Sequence, residues 1–498
     1  MLTTSQVIQP QATNVTTQGK YGLVMMVASR LSGMLIALLS SAILGRLLKP
    51  ADYGLVAMAS SVMILLNLLK DFGLTSAVVQ TKEITEDQLN AVFWLNLFIA
   101  IGFASVGAIS APFVATFYKQ VEVTNVVYAL SASLVVVSIA GAHSAMLRRR
   151  LSFYPLMWSE VLGQLSGLVS GVTIAFYYHS YWAIVVAQIA SATATTFYIF
   201  IHLRWLPGIP KSFLSATKLL KFGMNVSVFS LLNFLSNQLG AIMIGWWFGA
   251  SAAGHFNRAQ QLLSLTGSGL MQPVSQTALP VLSRLQNSDA EYQLYYSNLL
   301  ERTSIFFGVL GAFVIICGDS VALILLGSQW QLSGDIYRWF GLSIIAVGMA
   351  SQTGNVLISQ NRTSELRSWG FGDALIRAGA SATGIVLGIT GVAAAFGVST
   401  LFITVPIISW IVSRKGPVGL RSQFLAMRSG AILAFFIASI GLLIRSVAWS
   451  ASPVLAVIYS LMIVLTVVIV VYFIDTKTSK ILDRTIIDIM KMTQRKGS

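Results

Sequence analysis

The chain has 498 residues, of which 55% are hydrophobic and 10% charged, and its mean hydropathy is +0.77. Ordinary soluble domains carry about 25% charged residues. So few charges could not cover a water-facing surface of this size, whereas helices facing lipid need no such cover. One cysteine, Cys317, excludes a disulfide within the chain and a cysteine-rich metal site, and its plain reading is a small packed residue.

Residues 1–19 are polar and hold no Lys or Arg, so they read as a tail, not a cleavable signal. The apolar segment after them, Tyr21 to about Leu44, is too long for a signal core and carries Arg30 within it. A bilayer core of about 30 Å needs about 20 helical residues. Runs of that length fall near 21–45, 53–80, 90–116, 122–147, 156–178, 180–202, 218–248, 253–281, 298–318, 334–359, 366–389, 391–412, 428–447 and 451–474. The chain therefore reads as an all-α polytopic membrane protein of about fourteen spans, with only Thr390–Gly391 marking the break between the eleventh and twelfth.

In the first span, Arg30 lies ten residues beyond Lys20, roughly 15 Å into the membrane at 1.5 Å per residue. Facing lipid there would cost about 3 kcal/mol or more, so Arg30 is expected to face a hydrated cavity or a structural partner. Lys70 and Asp71 stand side by side near the end of the second span. A helix starting near Tyr53 puts Lys70 roughly 26 Å along, close to the inner boundary, and adjacent residues point about 100° apart. Lys70 can line an inner mouth while Asp71 turns to another helix or gate, and simple anchoring stands beside that reading.

In the fifth span, Gly163, Gly167 and Gly171 mark close helix packing. The seventh carries Ser230, Asn233 and Asn237 on one face, which suits a cavity wall or interhelical hydrogen bonds. Trp246 and Trp247 end that span, where anchoring at the interface is the ordinary role and sugar stacking the rival. Asn257 and Arg258 follow in the outer part of the eighth, where Arg258 can line the cavity or snorkel outward. In the eleventh, Asp373 and Arg377 lie at i and i+4, the spacing of an intrahelical ion pair, with a gating role as the alternative.

Orientation follows from the basic residues. With both termini cytoplasmic, 23 of the 32 Lys and Arg fall on inner segments, 5 on outer ones (Arg46, Lys49, Lys119, Arg338, Arg445) and 4 within spans. That bias accounts for the net charge of +15 without nucleic acid. The tail after Asp475 spaces Ile481, Leu482, Ile486, Ile489 and Met490 among basic residues, the pattern of an amphipathic segment on the inner membrane surface.

A shift of 200 positions lays GRLLKPADYG (45–54) over GWWFGASAAG (245–254) with both glycines in register, and Arg30 over Ser230. Two pseudo-symmetric six-helix lobes follow, residues 20–203 and 218–413, joined by a cytoplasmic linker over 204–217 and followed by two further helices over 428–474. Such repeats commonly place a substrate site between halves. Enzymatic chemistry finds little support. There is no phosphate-binding loop motif, the four histidines (143, 179, 202, 255) lack metal-ligand spacing, and no Ser/His/Asp or paired-carboxylate arrangement stands out. No cofactor and no metal is expected.

Several stretches carry a family resemblance: ILGRLLKPADYGLVAMA, DFGLTSAVVQ, QLNAVFWLNL, AMLRRRLSFYPLMWSEVLGQLSG, YWAIVVAQ, AGHFNRAQQLLSL, ALPVLSRLQ and LILLGSQW. In this order, over about residues 20–370, the chain resembles the polysaccharide and O-antigen flippases of the multidrug/oligosaccharidyl-lipid/polysaccharide transporter superfamily. The resemblance implies two six-helix lobes around a central cavity, alternating access, and a bacterial inner membrane. Its implied substrate is a polyprenyl-pyrophosphate-linked oligosaccharide, and its implied partners are membrane lipids and the polysaccharide polymerase and glycosyltransferase machinery. The cationic cavity residues of related flippases map by helix onto Arg30, Lys70 and Arg258. The uncharged 245–254 turn, and Ser230 opposite Arg30, depart from a strongly cationic cavity and point to hydrogen bonds with sugar. A drug/cation antiporter of the same superfamily is the rival, though it would want acidic cavity residues.

Overall fold

The computed structural model describes residues 32–71, 78, 84–150, 152–210, 212, 217–448 and 452–474, and among these every regular element is a helix. The chain divides into two compact units, Met1–Asn257 and Arg258–Ser498.

The first unit holds α1 (Ser32–Leu47), α2 (Pro50–Asp71), α3 (Glu86–Tyr118), α4 (Glu122–Ile139), α5 (Gly141–Arg149), α6 (Phe153–Tyr178), α7 (Trp182–Leu203) and most of α8 (Thr217–Ser264). Local chemistry sets the ends. Pro50 opens α2, where a missing N–H costs nothing, and Asp52 accepts from the Lys49 amide at 2.9 Å. Thr85 and Gln88 cap α3 reciprocally, at 3.2 and 3.0 Å, and Lys119 in the left-handed region ends it. The glycine stripe of α6 lies against α7: a Cβ on Gly163 would stand 2.1 Å from Thr195 Oγ1, and one on Gly167 2.8 Å from Ala187 O. Gly249, at φ 82°, breaks α8 into the two helices expected around the 245–254 turn.

The second unit continues with α9 (Leu270–Arg284), α10 (Asp289–Leu326), α11 (Gln331–Ala350), α12 (Thr353–Ser359), α13 (Thr363–Ile385), α14 (Ile389–Ser399), α15 (Val405–Arg414), α16 (Leu420–Ala448) and α17 (Pro453–Ile474). π-turns at Leu265–Gly269 and Thr400–Thr404 join α8 to α9 and α14 to α15. α10 bends at Cys317, which is buried and whose Sγ donates to Phe313 O. The unit's core gathers apolar residues of α10, α11, α16 and α17, among them Tyr296, Leu300, Ile316, Ile345, Leu433 and Val467.

Ten helices among the described residues are long and apolar enough to cross a membrane, with the shorter Ser32–Leu47 beside them. The chain is a multi-pass membrane protein. The expected runs at 218–248, 253–281 and 366–389 are not among the ten; α13 carries Glu365, Arg367, Asp373 and Arg377, which lower its hydropathy. The break between the eleventh and twelfth runs comes at 386–388, slightly before Thr390–Gly391, because Gly388 at φ 85° makes the turn.

Candidate functional site

Lys70 lies one residue from the end of α2, is 2% exposed, and donates from Nζ to Ser138 Oγ of α4 at 3.1 Å. The Ser138 hydroxyl donates in turn to Leu134 O at 2.7 Å. Asn96 of α3 donates to Ser138 O at 3.1 Å, so one serine joins three helices at this ammonium. The structure thus turns Lys70 toward α4. Arg30 lies outside the described residues, and Asp71 is described in its backbone alone.

On α8, the helix over Ser230, Asn233 and Asn237 is continuous, and their side chains lie outside what is described. Past the Gly249 break, Asn257 and Arg258 are half-buried, and Arg258 Nη1 donates to Gln261 Oε1 one turn further on. Asp373 and Arg377 of α13 form an ion pair at 2.7 Å. Thr404, in the second π-turn, donates to the other Asp373 oxygen at 3.2 Å, and the Arg377 guanidinium lies 4.9 Å from the Phe396 ring centre. This pair therefore pins α13 to α14 and to a π-turn, an element often kept at functional positions.

Two features had no expectation attached. Asp319, 5% exposed, takes both guanidinium nitrogens of Arg445 at 2.7 and 2.9 Å, and Arg445 also donates to Ile316 O. Arg338 donates to Ile315 O at 2.9 Å, so two of the arginines placed on outer segments meet carbonyls beside the Cys317 bend. The signal for this was the acidic Asp319 at the end of an apolar run. The second feature is an apolar groove of about 650 Å³ between α16 and α17, lined by Ile432, Phe436, Met462, Thr466 and Val470, with Arg428 at one end.

Trp246 and Trp247 are about half-exposed, and Phe117 stacks on Trp246 with ring centres 6.1 Å apart. The His143 ring sits among Phe93, Phe200 and Trp205. No group of three or more metal-ligating side chains occurs among the described residues.

The profile of a family described as polysaccharide biosynthesis protein matches residues 43–334, more than half of the chain. The chain belongs to this polysaccharide biosynthesis protein family. Within it, the chain is 22% identical over 381 residues to lipopolysaccharide biosynthesis protein WzxC of Escherichia coli (strain K12), covering 76% of each. It is 22% identical over 348 residues to teichuronic acid biosynthesis protein TuaB of Bacillus subtilis (strain 168), covering 69% of this chain and 71% of that one. Succinoglycan biosynthesis transport protein ExoT of Rhizobium meliloti (strain 1021) is 24% identical over 307 residues, 61% of each chain. The family member's fold is that of the lipid II flippase MurJ in its inward closed conformation, with a TM-score of 0.74 at 12% identity over 94% of this chain and 99% of that one. A multidrug resistance transporter described as a MATE family member of the MOP superfamily, in an inward-facing conformation, matches at a TM-score of 0.60, 14% identity, and 86% and 99% coverage.

Proposed function

We propose that this protein flips polyprenyl-pyrophosphate-linked oligosaccharide repeat units from the cytoplasmic to the periplasmic leaflet of a bacterial inner membrane, by alternating access, for lipopolysaccharide, exopolysaccharide or capsule synthesis. The observation that carries this reading is the spread of polysaccharide-synthesis relatives over most of the chain on a flippase fold. The basic bias of the inner segments supports cytoplasmic termini, and the repeat at 45–54 and 245–254 supports two lobes and about fourteen helices. In this reading the protein is not an enzyme, and it works beside the polymerase and glycosyltransferases that consume and supply its substrate.

An anionic pyrophosphate leaves water only with charged donors to meet it. Arg30, Lys70 and Arg258 are assigned that task. Asn257, Ser230, Asn233 and Asn237 are assigned hydrogen bonds to sugar, and Asp71 with the Asp373–Arg377 pair a gating role. The groove between α16 and α17 offers an apolar slot for an isoprenoid chain. Outward movement of each uncompensated negative charge gains about 2.3 kcal/mol per 100 mV from an inside-negative potential.

Complementation of a flippase-deficient strain tests the reading. Wild type should restore polymer export, and an expressed Arg30→Ala variant should not. Drug resistance on expression with no effect on export would favour a drug/cation antiporter instead, and full export by Arg30→Ala would remove the cavity-cation assignment.

A further inference from the structure

Beyond α7 the chain runs without regular structure from Arg204 to Pro210, as a strap over the first unit. Three side chains hold it. Asn90 Oδ1 accepts from the Gly208 amide at 3.0 Å, and Trp94 Nε1 donates to Gly208 O at 2.9 Å. The third is His143, whose Nε2 lies 3.0 Å from Trp205 O. Its other ring nitrogen, Nδ1, lies 3.2 Å from Ile139 O, one turn back along the chain.

Carbonyl oxygens accept and never donate. A neutral imidazole has a single N–H, whereas the imidazolium has two. Only the protonated ring makes both bonds at once. In the neutral ring one nitrogen turns a lone pair toward a carbonyl, and the two bonds compete for one proton. The ring is completely buried, and its centre lies 5.1 Å from those of Phe200 and Trp205 and 6.2 Å from that of Phe93. Aromatic rings around a cation offset part of the cost of burying it.

We propose that His143 is a protonation-dependent clasp that locks the strap leaving α7 onto α3 and α5 when its ring carries both protons. Among the described helices, α3, α4, α6 and α7 pack against α5. Their charged groups are Glu86 and Asp87 on α3, Glu122 on α4, Glu160 on α6 and His202 on α7, with Arg148 and Arg149 on α5 itself and Arg204 on the strap. None of these makes a hydrogen bond or ion pair with the ring; among the described residues its polar contacts are the two carbonyls. The strap begins the connection from α7 to α8 within the first unit, so proton uptake at His143 would stiffen the start of that connection.

Hydrogen–deuterium exchange of the full chain in lipid nanodiscs between pH 5.5 and 8.5, corrected for intrinsic exchange, tests this at the hydrogen-bonded amides of Arg204 and Gly208. Their protection should fall about five-fold as pH rises through a single titration, the weight of one net hydrogen bond. In His143→Gln, which does not titrate, protection should be flat with pH. In Trp94→Phe it should be lower throughout, with the pH-dependent fall retained. A flat wild type, or a fall that survives in His143→Gln, overturns the proposal. Nitrogen NMR of histidine-labelled wild type reads the ring without any substitution, and a ring already neutral at pH 5.5 overturns it equally.

Discussion

Gly254 packs directly on the backbone of Gly54: a Cβ built on Gly254 would lie 3.0 Å from Gly54 N and 1.8 Å from Pro50 O. The converse contact has the same form, with a Cβ on Gly54 falling 1.7 Å from Ala250 O. Positions 50 and 54 correspond to 250 and 254 under the 200-residue shift that aligns the two repeats. Each copy of the motif thus receives the other's glycine, as two subunits do across a two-fold axis. The glycines in register are therefore a demand of contact geometry, since main chain meets main chain where any side chain would intrude.

Gly54→Ala or Gly254→Ala should accordingly force α2 and the end of α8 apart. Overpacking of this kind costs about 1–3 kcal/mol, seen as a lower thermal midpoint of the purified protein and reduced export. Gly102→Ala is the control, because a Cβ there meets nothing within 4 Å. Equal behaviour of the three variants would contradict the contact.

The Asp319–Arg445 pair links α10 to α16 across 126 positions of sequence. Removing the guanidinium in Arg445→Ala leaves a buried carboxylate without its partner, a change that costs about 3–5 kcal/mol. Replacing both residues with apolar ones of similar volume should be much milder. Thermal unfolding of the singles and the double, read as a double-mutant cycle, measures the coupling, and additivity would deny it.

Lys70 separates two roles for a buried ammonium. Lys70→Met keeps the shape of the stem and loses the charge. If the cation meets pyrophosphate during transport, export should fall about ten-fold, the weight of a charge-assisted hydrogen bond, with the thermal midpoint little changed. Ser138→Ala, which removes only the partner hydroxyl, should retain most export. Unimpaired export by Lys70→Met would leave the residue a structural tie between α2 and α4.

Glu365, in the first turn of α13 and ahead of its apolar run, receives Arg362 Nε at 3.1 Å and Nη2 at 2.8 Å. That bidentate hydrogen bond holds its carboxyl below the usual carboxylate range. A depressed folded-state value means that the stabilisation is present in full above the ordinary carboxylate pKa and is lost as pH falls through the lower folded value. The thermal midpoint of wild type should exceed that of Glu365→Gln near neutral pH, and the difference should close only on strong acidification. The same arginine donates to the carbonyls of Ile411 and Val412, so Arg362→Ala should be the more damaging change.

Much of the fold was legible along the chain, because lipid demands something local. A span needs about 20 consecutive apolar residues whatever its neighbours are, and the helices found lie on the runs expected, with breaks at Gly249 and Gly388 within a few positions. The α6 glycine stripe was legible for a similar reason, since i, i+4, i+8 spacing needs no tertiary information to define one face. Asp373 and Arg377, four apart, are also local, and the structure adds the Thr404 hydroxyl and the Phe396 ring.

The partners of isolated polar groups were not legible. Ser138 lies 68 positions from Lys70, Trp205 lies 62 from His143, and neither spacing has a period. Sequence by itself determined that this chain is a bundle of membrane helices, where most of them run, and that two glycines recur 200 positions apart. Only the tertiary structure decided which buried charge meets which acceptor. Hydrophobicity is a property of each segment alone, whereas a hydrogen-bond partner depends on how far each helix is rotated and slid against its neighbours.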